Sequence, residues 1–154
     1  MSCTESTELD VKYEPGLYDF LLPPGIRVEV KASRAVEYKR KAALHVKALR
    51  SDSSKPFDMN FQQLKPRCCD VFVWLAVWLD VIKCWVIPSF EVEKIYKPQH
   101  RGNVGEGQFH LKHSNIQHFD KYLTELAEIE KSIRRADEEE KKLRQTSSEK
   151  SVPN

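Results

Sequence analysis

Three residues near the start of the chain, Asp19, Glu29 and Lys31, have the types and spacing to do chemistry together. They lie in two β-rich runs, LYDFLL and IRVEVKAS, separated by Pro23-Pro24-Gly25, so the stretch reads as a hairpin. With Leu22 opposite Ile26, Asp19 falls directly across from Glu29. Side-chain alternation then puts Lys31 on the same face, as the diagonal neighbour of Asp19. Arg27 shares that face, while Phe20, Leu22, Val28 and Val30 point the other way and supply an apolar anchor. Two carboxylates facing each other across a hairpin repel unless a cation sits between them. Mg²⁺ suits such a pair, because it prefers oxygen ligands and uses one or two carboxylates while keeping waters. A bound Mg²⁺ can polarise a phosphoryl oxygen and acidify its water, which is what phosphodiester hydrolysis requires, and a nearby ammonium adds positive charge to the same centre. The inference depends on register, since a slip of one residue separates the carboxylates onto opposite faces.

The elements that must position these residues follow from the rest of the pattern. Leu9 to Ser33 reads as a three-stranded meander, LDVKYE followed by the two strands of the hairpin. Arg34 to Arg50 contains no Gly or Pro and spaces Ala35, Val36, Ala43, Leu44 and Val46 among basic residues, which predicts an amphipathic helix beginning near a Ser33 cap. Ser51 to Pro66 reads as a polar connector. Cys68 to Ile87 carries two runs, CCDVFVWLAVW and VIKCWVI, expected as central strands buried on both faces and divided at Leu79-Asp80. Pro88 to His113 reads as loop, with one short strand at Gln108 to Leu111. Ser114-Asn115-Ile116-Gln117 fits a capping box that opens a helix to about Leu143. Its apolar positions Ile116, Phe119, Leu123, Leu126, Ile129 and Ile133 can pack on the sheet or on a second copy of the chain, forming a homodimer. Residues 1–133 are thus expected as one domain, and 134–154 as a charged helix end with a disordered tail.

The tripeptide Glu-x-Lys occurs four times in the chain and means nothing alone. Only Glu29 to Lys31 closes a hairpin behind an apolar strand with an acid opposite. In that setting GLYDFLLPPGIRVEVKAS resembles the active-site hairpin of the PD-(D/E)xK nucleases, the superfamily of many type II restriction endonucleases and Holliday-junction resolvases. The resemblance spans roughly residues 9 to 90. It implies an α/β fold with a restriction-endonuclease-like core, a central mixed β-sheet flanked by helices, here followed by a long C-terminal helix. It also implies Mg²⁺-dependent cleavage of DNA, with Asp19 and Glu29 as metal ligands, the Val30 backbone carbonyl as a third, and Lys31 as the catalytic lysine. Tyr18 stands where the motif often has Pro. The family core usually begins with a helix that often supplies another acid, and here Glu5, Glu8 or Asp10 are the acids available, unless the chain is a truncated or partner-completed nuclease.

Residues 26 to 50 hold eight Lys or Arg against two acids. Arg27, Arg34, Lys39, Arg40, Lys41 and Lys47, with Arg101 in the glycine-rich stretch HRGNVGEGQ, are candidate phosphate contacts; the plainer alternative is a solvated face. His110 and His113 have no cysteine or acid nearby in sequence to complete a zinc set, and surface or capping roles suit them better. Trp74, Trp78 and Trp85 belong to apolar strands and read as core. The longest apolar run, Val71 to Leu79, is nine residues, too short for a membrane helix, and the N-terminus lacks a signal pattern; no membrane association and a cytoplasmic location are expected. The rival to a nuclease is a non-catalytic nucleic-acid-binding or coiled-coil assembly module whose hairpin cluster is a salt-bridge patch.

Overall fold

A computed structural model describes residues 17–99 and 105–150. The strand expected over residues 9–14, the acids Glu5, Glu8 and Asp10, Arg101 and residues 151–154 lie outside the described residues. Within them the chain is α/β, with a five-stranded mixed sheet, a four-stranded antiparallel sheet and a long C-terminal helix. The first sheet holds β1 (Phe20–Leu22), β2 (Ile26–Arg34), β5 (Val71–Val77), β6 (Ile82–Pro88) and β9 (Leu123–Thr124), in the order β1-β2-β5-β6-β9. The second holds β3 (Val36–Glu37), β4 (Phe57–Leu64), β7 (Lys97–Pro98) and β8 (Gly107–Lys112), in the order β3-β4-β8-β7. The helices are α1 (Leu44–Lys47), α2 (Ser89–Ile95) and α3 (Ile129–Lys150).

The hairpin register is the one the sequence predicts: Leu22 pairs Ile26, Leu21 pairs Arg27 and Phe20 pairs Val28. Gly25 closes the turn with φ of 149°, where a side chain would be strained, and donates its N–H to the Leu22 carbonyl at 2.9 Å. β2 then runs parallel to β5, with Glu29 beside Phe72 and Lys31 beside Trp74. β5 and β6 form the expected antiparallel pair.

β5 is apolar on both faces because both are covered. Phe72, Trp74 and Ala76 join Trp78, Trp85, Met59, Phe61 and Phe119 in a core between the two sheets. Trp74 is stacked between Phe61 and Phe109, with ring centroids 4.7 and 5.6 Å away. Val71 and Val73 join Val28, Cys84, Val86, Ile133 and Ala136 in a second core beneath α3. The layers are therefore helix, mixed sheet and second sheet, and β2 contributes to both interfaces.

Four expectations are corrected. Arg34 to Arg50 is not a helix. The ladder with β5 continues past Ser33, and the Ala35 N–H donates to the Val77 carbonyl at 2.9 Å, so Ser33 lies inside β2 and caps nothing. Lys39 has φ of 60°, incompatible with a continuing helix, and only the single turn α1 forms, with Leu44 and Val46 52% and 47% exposed. Ser51 to Pro66 is not a simple connector, because Phe57, Met59 and Phe61 alternate and drive β4 into the core. Pro88 to His113 contains α2 as well as the expected strand near Gln108.

The capping box does not open a helix either. Asn115 instead accepts from the Lys112 N–H at 2.8 Å and donates to the His110 carbonyl at 3.0 Å, and a 3₁₀ segment spans Ile116–Tyr122. Its inward residues Ile116, Phe119 and Tyr122 recur every three positions, the 3₁₀ repeat. Leu123 and Thr124 then extend to pair with β6, so the helix begins only at Ile129. Of the stripe expected as one surface, Ile116 and Phe119 pack in one core, Ile129 and Ile133 in the other on the chain's own sheet, and Leu123 and Leu126 are exposed.

The charged stretch from Arg134 stays helical to Lys150, with Ala136, Asp137 and Glu140 buried. Glu140 accepts from the Phe90 N–H and from Arg144, both at 2.7 Å, and Arg144 and Arg67 share Glu93. Burial raises the Glu140 carboxyl above its usual range, against these donors. Because Ile133 is 2% exposed beneath α3, Ile133→Ala should cost about 2–5 kcal/mol in chemical denaturation, whereas Leu126→Ala, at a site 56% exposed, should stay within about 0.5 kcal/mol of the unsubstituted chain.

Candidate active site on the first hairpin

Asp19 sits one residue before β1, where the ladder ends at the Phe20–Val28 pair, and its N–H donates to the Val28 carbonyl at 3.0 Å, so Asp19 and Phe20 both meet Val28. Its carboxylate takes over where the strand stops, accepting the Val30 N–H on Oδ2 at 2.6 Å. In an extended strand a residue's N–H and C=O face the same neighbour, so the Val30 carbonyl also looks toward the edge where β1 has ended. Glu29 and Lys31 project to the side of the sheet that faces the second sheet, beside Phe72 and Trp74.

Glu29 is 3% exposed. Its Oε1 accepts from the Lys31 ammonium at 3.1 Å, and its Oε2 is buried without a hydrogen-bond partner. Leaving a buried acceptor unsatisfied costs about 1–3 kcal/mol, more when the group is charged. Burial pushes the Glu29 carboxyl above its ordinary value; Lys31 opposes the rise by charge and hydrogen bond, Lys65 opposes it by charge, and Asp19 adds to it. Asp19, Lys31 and Lys65 therefore all act on one buried carboxylate.

The donor set fits Mg²⁺. Among the described residues no group of three or more His, Cys, Asp and Glu side chains gathers to hold a metal; the oxygen donors along this edge of β2 are the Glu29 and Asp19 carboxylates and the Val30 carbonyl, with water to complete a shell. That is a common complement for Mg²⁺ and unlike a closed zinc site. The partnerless Oε2 of Glu29 is the atom such an ion would satisfy.

The wider cluster is fixed from β5. Arg27 donates from Nε and Nη2 to Asp70 at 3.2 and 2.9 Å and from its backbone N–H at 2.8 Å, while the Asp70 N–H donates to the Arg27 carbonyl at 2.8 Å. Arg27 is thus committed to locking β2 to the start of β5 rather than standing ready for phosphate. Of the other proposed contacts, Arg40 is paired with Glu37 and Lys39 lies over the Tyr38 ring. Arg34 and Lys41 are exposed, Lys47 is half-buried and Arg101 lies outside the described residues. His110 shares its Nδ1 proton with Asp58 at 2.9 Å, and His113 lies edge-on to Phe57, so the two serve separate contacts. Trp74, Trp78 and Trp85 are core residues, as expected.

Two residues at the site are not apparent from the hairpin alone. Lys65 follows β4, and Cys69 is a buried thiol raised well above its ordinary value by burial and by the nearby charge of Glu29. The Phe57-x-Met59-x-Phe61 alternation would carry Lys65 to the core face, so no signal in the sequence marks its place.

The described residues form an α/β domain in which a buried Glu29–Lys31 ion pair lies on β2 beside the edge where the Asp19 carboxylate holds the Val30 N–H. No protein-family model, curated protein or solved structure matches the chain. No helix among the described residues is long and apolar enough to cross a membrane.

The raised carboxyl of Glu29 has a signed consequence. Because its folded value exceeds its unfolded one, Glu29 contributes stability below the ordinary carboxylate range and loses it as pH rises through the raised value. Glu29→Gln removes that dependence. In chelator, the unfolding free energy of the variant minus that of the unsubstituted chain should increase from about pH 4 to pH 7; a flat difference in denaturant titrations would show Glu29 to be unperturbed.

Proposed function

We propose that this chain is a Mg²⁺-dependent endodeoxyribonuclease with a restriction-endonuclease-like active site of the PD-(D/E)xK kind. The observation that carries the reading is Glu29, buried and charge-paired to Lys31 through one oxygen, with its other oxygen partnerless and the Asp19 carboxylate bonded to the adjacent Val30 N–H. A salt-bridge patch built for stability has no reason to bury a carboxylate oxygen without a donor.

Asp19 and Glu29 would hold the ion, with the Val30 carbonyl on the same edge, and Val30 is itself kept in place by the Asp19 carboxylate. When bound, the ion supplies charge stabilisation to the phosphoryl oxygens and a water of lowered pKa. Lys31, held 3.1 Å from Glu29 Oε1, places an ammonium beside the same centre, where it stabilises the negative charge that develops on the phosphate and orients the attacking water. The wall of Phe72 and Trp74 beside Glu29 and Lys31 keeps one side of the cluster dry and strengthens each of these charge interactions. DNA is the favoured substrate because Arg34 at the end of β2, and Lys39 and Lys41 on the segment after it, stand exposed for phosphate.

Supercoiled plasmid incubated with Mg²⁺ should be nicked or cut, and chelator should stop the reaction. Asp19→Ala, Glu29→Ala and Lys31→Ala should each lower the rate about a hundredfold or more, and the two acid variants should also lose the heat of Mg²⁺ binding in calorimetry. Cleavage that survives Glu29→Ala, or an unsubstituted chain that neither binds the ion nor cuts, would refute the assignment. One active site cuts one strand, so the ratio of nicked to linear product reports whether two copies act together.

A further inference from the structure

A cleft of about 370 Å³ opens where the starts of β2 and β5 and the 3₁₀ turn Pro66–Cys68 meet the C-terminal half of α3. Six charged side chains line it: Arg27, Arg67, Lys141 and Arg144 against Asp70 and Glu140. Asp19, Glu29 and Lys31 do not, so the cleft is separate from the cluster on the hairpin.

Both oxygens of each acid are already bonded. Asp70 holds Arg27 on the two of them, and Glu140 takes the Phe90 N–H on Oε2 and Arg144 Nε on Oε1. Arg27 is occupied in turn, but the other three cations are only partly used. Arg67 donates through Nε alone, to Glu93 Oε1 at 3.0 Å, and its two terminal nitrogens have no partner among the described residues. Arg144 uses Nε and Nη1 and keeps Nη2, while Lys141 makes one bond, to Asp137 at 2.9 Å. Glu93 and Asp137, the acids that hold these side chains, do not line the cleft. The wall therefore offers unused donors beside occupied acceptors, which is the polarity an anion needs.

The donors are also positioned in advance. Glu93 takes Arg67 on one oxygen and Arg144 on the other, at 2.8 Å, so a single carboxylate fixes the spacing of guanidiniums from two elements. Arg144 lies over the Phe90 ring as well, 5.2 Å from its centroid. Holding long side chains before a ligand arrives removes much of the ordering cost of binding. A guanidinium edge matches two oxygens of a phosphate, and the Arg67 side chain, 84% exposed, is open to solvent. The cleft falls within the roughly 300–1,000 Å³ of small-molecule sites, leaving room for an organic group beside the phosphate.

We propose that this cleft binds a small phosphomonoester, its phosphate held between the free edges of Arg67 and Arg144 with Lys141 at the rim. The inference does not depend on the hydrolase reading given above. It gives the salt-bridge network between the 3₁₀ turn, α2 and α3 a second role, because the bonds that join these elements are the ones that hold the two arginines in place.

The full chain would be titrated in a calorimeter with glycerol 2-phosphate, with inorganic phosphate and with chloride, at constant ionic strength. Chelator in every titration keeps metal-bound phosphate at Glu29 out of the measurement. The monoester should bind more tightly than inorganic phosphate, and chloride should give no heat. Arg67→Ala removes an exposed side chain that makes one bond and should weaken monoester binding about tenfold or more. Arg67→Lys keeps the charge without the fork and should recover part of the affinity; it carries the same test if the alanine variant does not fold. Arg50→Ala, which removes the same charge from an exposed site outside the cleft, should bind as the unsubstituted chain does. No heat with the monoester, or equal losses in Arg67→Ala and Arg50→Ala, overturns the proposal. Inorganic phosphate binding as tightly as the monoester overturns it in favour of a site for the free anion. Duplex DNA that binds through Arg67 where the monoester does not overturns it in favour of a nucleic-acid contact.

Discussion

A carboxylate buried on a β-strand with one oxygen partnerless is costly, and much of the surrounding structure is arranged around that of Glu29. Burying an ionised group carries a desolvation penalty that its partner ion recovers only in part. Here the partner is two residues along the same strand, which fixes Lys31 to the same face and keeps the pair independent of loop motion. The strand is then held on both edges. On one, the Asp19 carboxylate takes the Val30 N–H where β1 ends; on the other, Asp70 grips Arg27 through backbone and side chain. An electrostatic cluster is useful only if its geometry survives its own repulsion, and these two clamps immediately flank Glu29.

The stability of the clamps comes from β5. It lies between β2 and β6 with aromatic residues on the side of the second sheet and valines on the side of α3, so both cores converge on the strand that registers β2. α3 reinforces the arrangement from outside. Arg134 donates to the Pro23 carbonyl in the hairpin turn at 2.6 Å, and the Glu140, Arg144, Glu93 and Arg67 network ties the helix to α2 and to the 3₁₀ turn Pro66–Cys68. The turn that follows Lys65 and the strand that bears Glu29 are thus restrained by the same helix.

How much of this was legible in the sequence follows the range of the forces involved. The hairpin register was legible because Pro23-Pro24-Gly25 leaves little freedom in how Leu22 meets Ile26, and the pairing out to Phe20 and Val28 follows; beyond it the Asp19 N–H returns to the Val28 carbonyl and the predicted Asp19–Glu29 pair does not continue the ladder. The β5 and β6 strands were legible because their apolar runs exceed what a half-buried strand would carry. Arg34 to Arg50 was misread because its Ala, Leu and Lys content favours a helix locally, while the pairing of Ala35 with Val77 forty-two positions away decides the outcome. The stripe from Ile116 to Ile133 misled for a related reason: a run with period near three fits a 3₁₀ segment over its first part, and one periodic pattern can serve two cores.

The bulge in β4 was the least legible feature. Phe57, Met59 and Phe61 alternate, and a regular strand would send Gln63 and Lys65 to the core face with them. The extra residue resets the alternation so that Leu64 is buried instead, and the chain leaves the sheet with Lys65 fixed between Leu64 and Pro66. An uncompensated lysine cannot be buried in an aromatic core. The bulge avoids that burial, since it lets an apolar strand end at Leu64 with a half-buried lysine after it. Sequence pattern alone does not reveal such a device, because its consequence depends on a partner strand more than forty residues away.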